Sequence, residues 1–366
     1  MSESPPPEAA SGFAARRLSR AALERNTAAT SLARLGFAGL QELCRRAAAD
    51  HPPDPHAADD PRGLPVAYSE ARATRPIGEA DACAVCDGRT CPAADVIDLP
   101  GDDAAWLTPN LYPIVYPFAP GPARAPRGVH LVHWSSLRHD GGLAGADPRT
   151  AAAIVAQWAR AEEWLLHHAD AAFPESGAGG DGRVHRGHCG LVKNRGRRVG
   201  GSVEHDHQHV LLADVPFAEP PQARGLAEAV LRDLVPDRVV DEVDGRALVV
   251  VPSFMRRPLH AFLVPLAPGG GTRRAARAGW LHHLDDDGRD AFALALARLA
   301  GAVTREMQRR SGEPAFNMIL HTGLGQAPLL ELRPSTQPLG GFEHLGLYLC
   351  EERPETSAGR LRDALG

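Results

Sequence analysis

Lys193-Asn-Arg-Gly-Arg-Arg-Val-Gly-Gly-Ser-Val-Glu-His-Asp-His-Gln-His209 is the stretch whose reading decides this chain. Its histidines His205, His207 and His209 alternate, and alternate residues of a β-strand point to one face, so the spacing predicts three imidazoles lining one surface. Upstream, Gly196, Gly200 and Gly201 permit a backbone that closes on a ligand, while Asn194 and Ser202 bring hydrogen-bond donors. A glycine-rich donor loop of this kind suits a phosphate.

The sequence around this stretch falls into two similar layouts, which points to an internal duplication. The first runs from Pro109-Asn-Leu-Tyr-Pro113 through a strand at Val129 to His133 and on to His139. A helix follows, opened by Asp147-Pro148 and carried by Ile154, Val155, Trp158 and Trp164, then a strand at Cys189 to Val192 and a turn at Asn194 to Gly196. The second runs from Pro252-Ser-Phe-Met255 through a strand at Ala261 to Pro265 and His282/His283. Its helix spans about Asp285 to Arg310 and stops at Gly312, and a strand at Phe316 to Leu320 and a turn at Thr322-Gly323 follow. Each half reads as strands plus one long helix, an α+β unit, with the Pro-rich Val215 to Pro221 as the joint. Val239 to Val251, with Asp244-Gly245 at its middle, reads as a hairpin opening the second half. Before the halves, leucines from Leu18 to Leu43 suit one or two amphipathic helices, His51 to Pro61 reads as a linker, and residues 1 to about 12 read as disordered.

Composition narrows the classes. The 366 residues are 43% hydrophobic and 23% charged, which excludes a mostly disordered protein. No apolar stretch is long enough to span a membrane, and the N-terminus lacks the basic and apolar regions of a secretory signal, so the expected compartment is the cytoplasm. A formal net charge of -5 argues against a nucleic-acid binder. Six cysteines are too few for a disulfide scaffold of this size, which makes clustered ones metal candidates. Asp81-Ala-Cys83-Ala-Val-Cys86 is a Cys-x2-Cys pair able to put two thiolates on one ion, with Cys91 near enough to substitute. Of the 40 Lys and Arg residues only Lys193 is a lysine, so at that position Arg is expected to be unacceptable. His167, His168, His185 and His188 lack a spacing partner and read as surface or core histidines.

The 193–209 segment resembles the active-site strand of the galactose-1-phosphate uridylyltransferase family, within the histidine triad superfamily. That family's pattern is Asn-x-Gly, then Gly-x-Ser, then His-Pro-His-x-Gln, and Asn194, Gly196, Gly200, Ser202, His205 and His207 match it. Asn110-Leu-Tyr-Pro113, the segment ending in His139, and Gly341-Phe-Glu343 extend the resemblance over Arg75 to Leu365. Two residues depart from the pattern: Asp206 stands for the family's Pro and His209 for its Gln. Leu329-Leu-Glu-Leu-Arg-Pro334 also takes the strand where members often carry His-x-His, which implies one active site per chain.

The resemblance implies a duplicated histidine-triad (HIT-like) fold of two antiparallel-sheet-plus-helix halves. The expected division is an extension over 1–74, a catalytic half over 75–215 and a degenerate half over 216–366. It implies a structural Zn2+ held by Cys83, Cys86, His139 and His205, and His207 as a nucleophile forming a covalent nucleotidyl-histidine. His209 would serve as donor or acid, the latter favouring hydrolysis. Lys193, Asn194, Gly200 and Ser202 would hold phosphate, Asn110 the nucleoside and Glu343 the sugar. The implied partners are a nucleotide sugar or dinucleotide and a sugar phosphate or phosphate, with a homodimer allowed. Alternatives are a dinucleoside polyphosphate or nucleotide-sugar phosphorylase or hydrolase, and a zinc-stabilised nucleotide-binding module without turnover.

Overall fold

The computed structural model describes residues 16–59, 65–75, 82–119, 123–178, 182–217, 225–269, 273–323 and 327–365. The expected disorder of residues 1–12 and the distal part of the Val215 to Pro221 joint lie outside the described residues.

Ten strands join into one sheet, and several of them, such as Ala247–Val250 and Ala261–Pro265, are buried along their whole length. They are β1 (Asp95–Leu99), β2 (Asp103–Pro109), β3 (Gly128–Trp134), β4 (His188–Arg195), β5 (His207–Ala213), β6 (Val239–Val243), β7 (Ala247–Val250), β8 (Ala261–Pro265), β9 (Phe316–His321) and β10 (Leu329–Pro334). Their order is β6-β7-β8-β10-β9-β4-β5-β3-β2-β1, and every pairing is antiparallel. From each outer edge inward, the first five strands run 1-2-3-5-4 and the last five 6-7-8-10-9, so the two halves repeat one topology. They meet at the pairing of β4 with β9, from Leu191↔Leu320 to Arg195↔Phe316. This pairing carries β4 through Asn194, where the sequence alone suggested a turn.

Each half carries its long helix on the same face. Short helices α1 (Arg20–Arg25), α2 (Leu32–Leu35) and α3 (Phe37–Ala47) precede α4 (Pro148–His168), and α5 (Leu226–Arg232) precedes α6 (Asp286–Ser311). Asp147 caps α4 by accepting from the backbone N–H of Arg149 and Thr150, with Pro148 at a first-turn position that needs no donor. Asp285 caps α6 in the same way, and Gly312 ends it at φ 72°. Ile154, Trp158 and Leu212 of the first half share one buried cluster with Leu263, Phe292, Leu296 and Leu330 of the second, so the halves have a common core. At about 1.5–3 kcal/mol for each such side chain, this cluster is a main source of cohesion between them.

The other face of the sheet is covered differently. Within β5, Val210 and Leu212 enter the helix-side core, while His207, His209 and Leu211 face the opposite way. On that opposite face Leu18, Leu23, Cys83, Val85, Trp106 and Trp134 form a second buried cluster. The N-terminal segment packs on the sheet here, with Leu18 N–H bonded to the Leu137 carbonyl and His139 N–H to that of Arg16. Among the described residues it holds three helices, and Gly36 at φ 70° divides the second from the third. The expected linker also carries order, since Ala57–Asp59 pairs with Pro65–Ala67.

Candidate functional site

Four side chains converge before β5 begins. One ligand atom from each of Cys83, Cys86, His139 and His205 lies within 4.8 Å of the others. Cys83 Sγ is 3.8 Å from His205 Nδ1, and Cys86 Sγ is 3.6 Å from the Nδ1 of both His139 and His205. A tetrahedral zinc with its usual bond lengths would set sulfur and nitrogen ligands about 3.5 Å apart, so the donor set fits the ion in chemistry and spacing. The ring orientation fits as well. His205 donates Nε2–H to the Ser136 carbonyl at 2.7 Å, which leaves Nδ1 as the lone-pair nitrogen facing the thiols. Burial holds His205 down to about 4 and so neutral, and burial together with Cys83 pushes the Cys86 thiol up to about 12. A divalent cation among them would reverse that penalty and deprotonate the thiols. Cys91 is not in this group and instead lines the neighbouring pocket.

Two residues on, His207 donates Nδ1–H to the His205 carbonyl at 2.8 Å. Its Nε2 is thereby the lone-pair nitrogen, and burial holds the ring down to about 4, so it is neutral. The residue lines a pocket of about 220 Å³ together with Arg75, Asn110, Trp134, Ser202 and His209. Trp134, opposite His207 in the β3 pairing, packs on it with ring centroids 5.2 Å apart.

The state of His209 is fixed by a residue that sequence reading missed. His130 Nδ1 accepts from the Ile114 N–H at 3.1 Å, so a neutral His130 carries its hydrogen on Nε2 and donates it to His209 Nδ1, also at 3.1 Å. Asn110 Oδ1 accepts from Tyr112 N–H, which turns the Asn110 amide nitrogen toward His130 Nε2 at 3.1 Å and His209 Nδ1 at 3.4 Å. With the His130 Nε2–H directed at Nδ1, His209 holds its hydrogen on Nε2. Burial, aided by His130, pushes its protonation well below the usual range. At neutral pH His209 is thus a neutral N–H donor, as the glutamine of the resembled pattern would be, rather than a stored acid. Only the pairing of β3 with β5 brings His130 here, and no spacing within either strand signals it.

Behind the strand, Asp206 and Gln208 belong to a continuous hydrogen-bonded chain. Lys193 Nζ bonds Asp206 Oδ1, the His207 carbonyl at 3.1 Å and Gln208 Oε1 at 3.2 Å. Gln208 Nε2 donates to His133 Nδ1, His133 Nε2 to Gln157 Oε1, and Gln157 Nε2 to Asp95 Oδ1, at 2.6, 2.9 and 2.6 Å. Every direction is consistent from the ammonium to the Asp95 carboxylate, so the buried polar groups are satisfied. Lys193 is 3% exposed and does not line the pocket, which corrects its expected role in holding phosphate. An ammonium has three donors and here meets three acceptors, and that is the physical reason for the single lysine. Asp206, in turn, is held well below the usual carboxylate range by Lys193 and Arg195 against the cost of burial.

The remaining expected residues divide. Ser202 and Asn110 line the pocket with His207 and His209. Gly200 has φ 88° and open space around it, as a loop meant to approach a ligand needs. Asn194 lies at the join of the halves, its Oδ1 accepting from Asn317 Nδ2 at 2.7 Å, and is not on the pocket wall. Glu343, in the short helix α7 (Gly341–His344), accepts from the backbone N–H of Gly340 and Leu349 and so closes its own turn away from the pocket lining. Arg75, which reading the sequence did not single out, reaches the Gly200 carbonyl at 3.1 Å on the pocket rim. In the second half, Glu331 on β10 accepts from His260, His321 and Arg333.

The repeated strand order and the long helix on each half make a duplicated histidine-triad-like fold. Comparison with protein-family models and with curated proteins finds no match for this chain. Among solved structures it is similar to a uridylyltransferase, with TM-score 0.60 and 20% identity over 84% of this chain and 98% of that one. It is similar to an ADP-glucose phosphorylase from Arabidopsis thaliana with bound ADP-glucose, with TM-score 0.59 and 20% identity over 84% and 98% of the two chains. A GalT-like protein from Arabidopsis thaliana gives TM-score 0.55 and 19% identity over 71% and 83%. These likenesses show the fold. No helix among the described residues is long and apolar enough to cross a membrane.

Proposed function

We propose that this chain is a nucleotidyltransferase that moves a nucleoside monophosphate from a nucleotide sugar to a sugar 1-phosphate or to phosphate through His207. The observation that carries the reading is the tautomer of His207: a neutral ring, Nδ1–H bound to a backbone carbonyl and Nε2 left as the lone pair, on the wall of a pocket. In the first step Nε2 attacks the α-phosphorus, the new P–N bond forms, and the bond from phosphorus to the bridging oxygen breaks, releasing a sugar 1-phosphate. In the second step an acceptor phosphate oxygen attacks the same phosphorus and the P–N bond breaks. His209 Nε2–H and the loop from Gly200 to Ser202 are assigned to the phosphoryl oxygens, with Arg75 adding charge at the rim. The proposed Zn2+ would fix the ring and backbone of His205, whose carbonyl orients His207.

The solved ADP-glucose phosphorylase and uridylyltransferase structures support a nucleotide sugar as donor. Neutral His209 supports transfer or phosphorolysis over hydrolysis. Residues 1–74 are proposed as an extension, 75–215 as the catalytic half and 216–366 as its degenerate counterpart. A homodimer belongs to the same proposal, because Phe342, Leu345, Leu347 and Leu349 lie exposed in one short stretch. The proposed compartment is the cytoplasm, in keeping with six cysteines that are all free thiols. The test is to incubate the protein with ADP-glucose or UDP-glucose without acceptor and to measure intact mass. A nucleotidyl adduct absent from His207→Asn supports the reading, and nucleotide binding with no adduct and no exchange would replace it with a binding module.

A further inference from the structure

A second group of imidazoles lies away from His207, where α4 meets the segment leading into α6. His185 comes from the short strand Val184–Arg186, and His282 and His283 from the single turn Leu281–His283. One ring nitrogen of each lies within 4.8 Å of the other two. None of the four isolated histidines of the first half had a partner by sequence spacing, because this grouping joins one of them to the second half.

The surroundings are those of a metal ligand set. Glu162, buried on α4, accepts from the backbone N–H of His282 at 3.1 Å and from its ring Nδ1–H at 2.7 Å, both on Oε2. That bond fixes the His282 tautomer and leaves Nε2 as a lone pair, the arrangement a carboxylate imposes on a metal-binding histidine. Among the described residues, Nε2 of His282 and Nε2 of His283 are buried without a hydrogen-bond partner, an arrangement that is unfavourable unless something binds them. The ring centroids of His185 and His282 are 5.2 Å apart, and those of His282 and His283 4.5 Å.

We propose that His185, His282 and His283 bind a first-row divalent cation, with zinc the foremost candidate, and that Glu162 positions His282 for it. Three imidazoles suit zinc, nickel or copper and do not suit magnesium or calcium, which take oxygen ligands. Three ligands leave a fourth tetrahedral position to water or an anion. His283 lines a cavity of about 900 Å³ that Arg232, Arg274 and Arg277 also line, so an anionic fourth ligand has a favourable approach. The ion would tie the strand Val184–Arg186 of the first half to the turn that leads into α6, and Glu162 would link α4 to it through His282. This site is independent of the His207 chemistry and of the Cys83 group.

The experiment measures zinc on the full-length protein, by elemental analysis after dialysis against zinc and by calorimetric titration of chelator-treated protein. Two zinc ions per chain are expected, with one remaining in Cys83→Ser and one in the double variant His282→Ala/His283→Ala. Glu162→Gln should keep the fold and weaken one of the two events by roughly 10–100-fold. Should the double variant fail to fold, Co2+ titration of the wild type decides. One equivalent should raise thiolate charge-transfer absorption, and the second should add ligand-field absorption alone. A single zinc that disappears in Cys83→Ser, or a single cobalt event, would overturn the proposal.

Discussion

At the scale of single residues, the lone lysine shows how a compositional anomaly can be right about a position and wrong about its role. The slot under β5 offers Asp206, the His207 carbonyl and Gln208 to a point charge, and a planar guanidinium cannot satisfy those directions in that space. Lys193→Met should cost about 3–5 kcal/mol of stability by leaving Asp206 charged and buried without its partner. Lys193→Arg should also destabilise, and Lys193→Met combined with Asp206→Asn should recover part of the loss. Urea denaturation of the set checks this, and an unchanged midpoint for Lys193→Arg would remove the account. The tautomer relay through His130 yields a second expectation. Because His209 already behaves as a neutral donor, His209→Gln should keep nucleotidyl transfer within about tenfold. A general acid contributes roughly 10²–10⁴-fold, so a rate loss of that size would identify His209 as a proton source instead.

At the scale of elements, the turn at Cys83 to Cys86 meets the start of β5 through its two sulfurs against His205 Nδ1. Removing the metal ligands should therefore loosen the strand that carries His207. Cys83→Ser is expected to lower zinc content by one per chain and the melting temperature by roughly 5–10 °C. The β8, β9 and β10 group centred on Glu331 gives a pH expectation. Its carboxyl accepts from His260, His321 and Arg333 and is held well below 4.5 in the folded state, while the unfolded chain protonates near 4.5. The unfolded state then binds more protons as pH falls, so this stabilisation is complete above 4.5 and is lost below it. Burial also keeps His260 from protonating when the unfolded chain does, below 6.5, and acts in the same direction. Glu331→Gln should melt lower at pH 7 and lose less stability between about pH 5 and 3 than the wild type, measured by thermal scans at both ends. The elements themselves were legible where the signal is local. Asp147-Pro148 and Asp285 mark helix starts and Gly312 a stop, and Asp244-Gly245 marks a hairpin. What local signals do not carry is strand pairing: β4 runs on through Asn194 only because β9 lies beside it, and His130 meets His209 only because β3 lies beside β5.

At the scale of the whole molecule, the duplication was legible from the matching order of strands and helix, and the site strand from its alternate histidines. The joining of the halves was not, because it depends on two edges of similar length meeting in register. The structure makes that joining central: β4 and β9 pair in the middle of a ten-stranded sheet, and Ile154 and Trp158 share a core with Phe292 and Leu296. Separating the halves would expose the β4 edge from His188 to Arg195 and the helix-side apolar surface together, a combination that favours aggregation. The full chain should consequently unfold in one calorimetric transition, its calorimetric and van't Hoff enthalpies agreeing. Residues 1–215 expressed alone should be insoluble or lack fixed tertiary structure by near-ultraviolet circular dichroism, even though all residues proposed for catalysis are present. Two resolved transitions in the full chain, or a well-packed and soluble 1–215 fragment, would show that the halves are separable domains and that the shared core is incidental to stability.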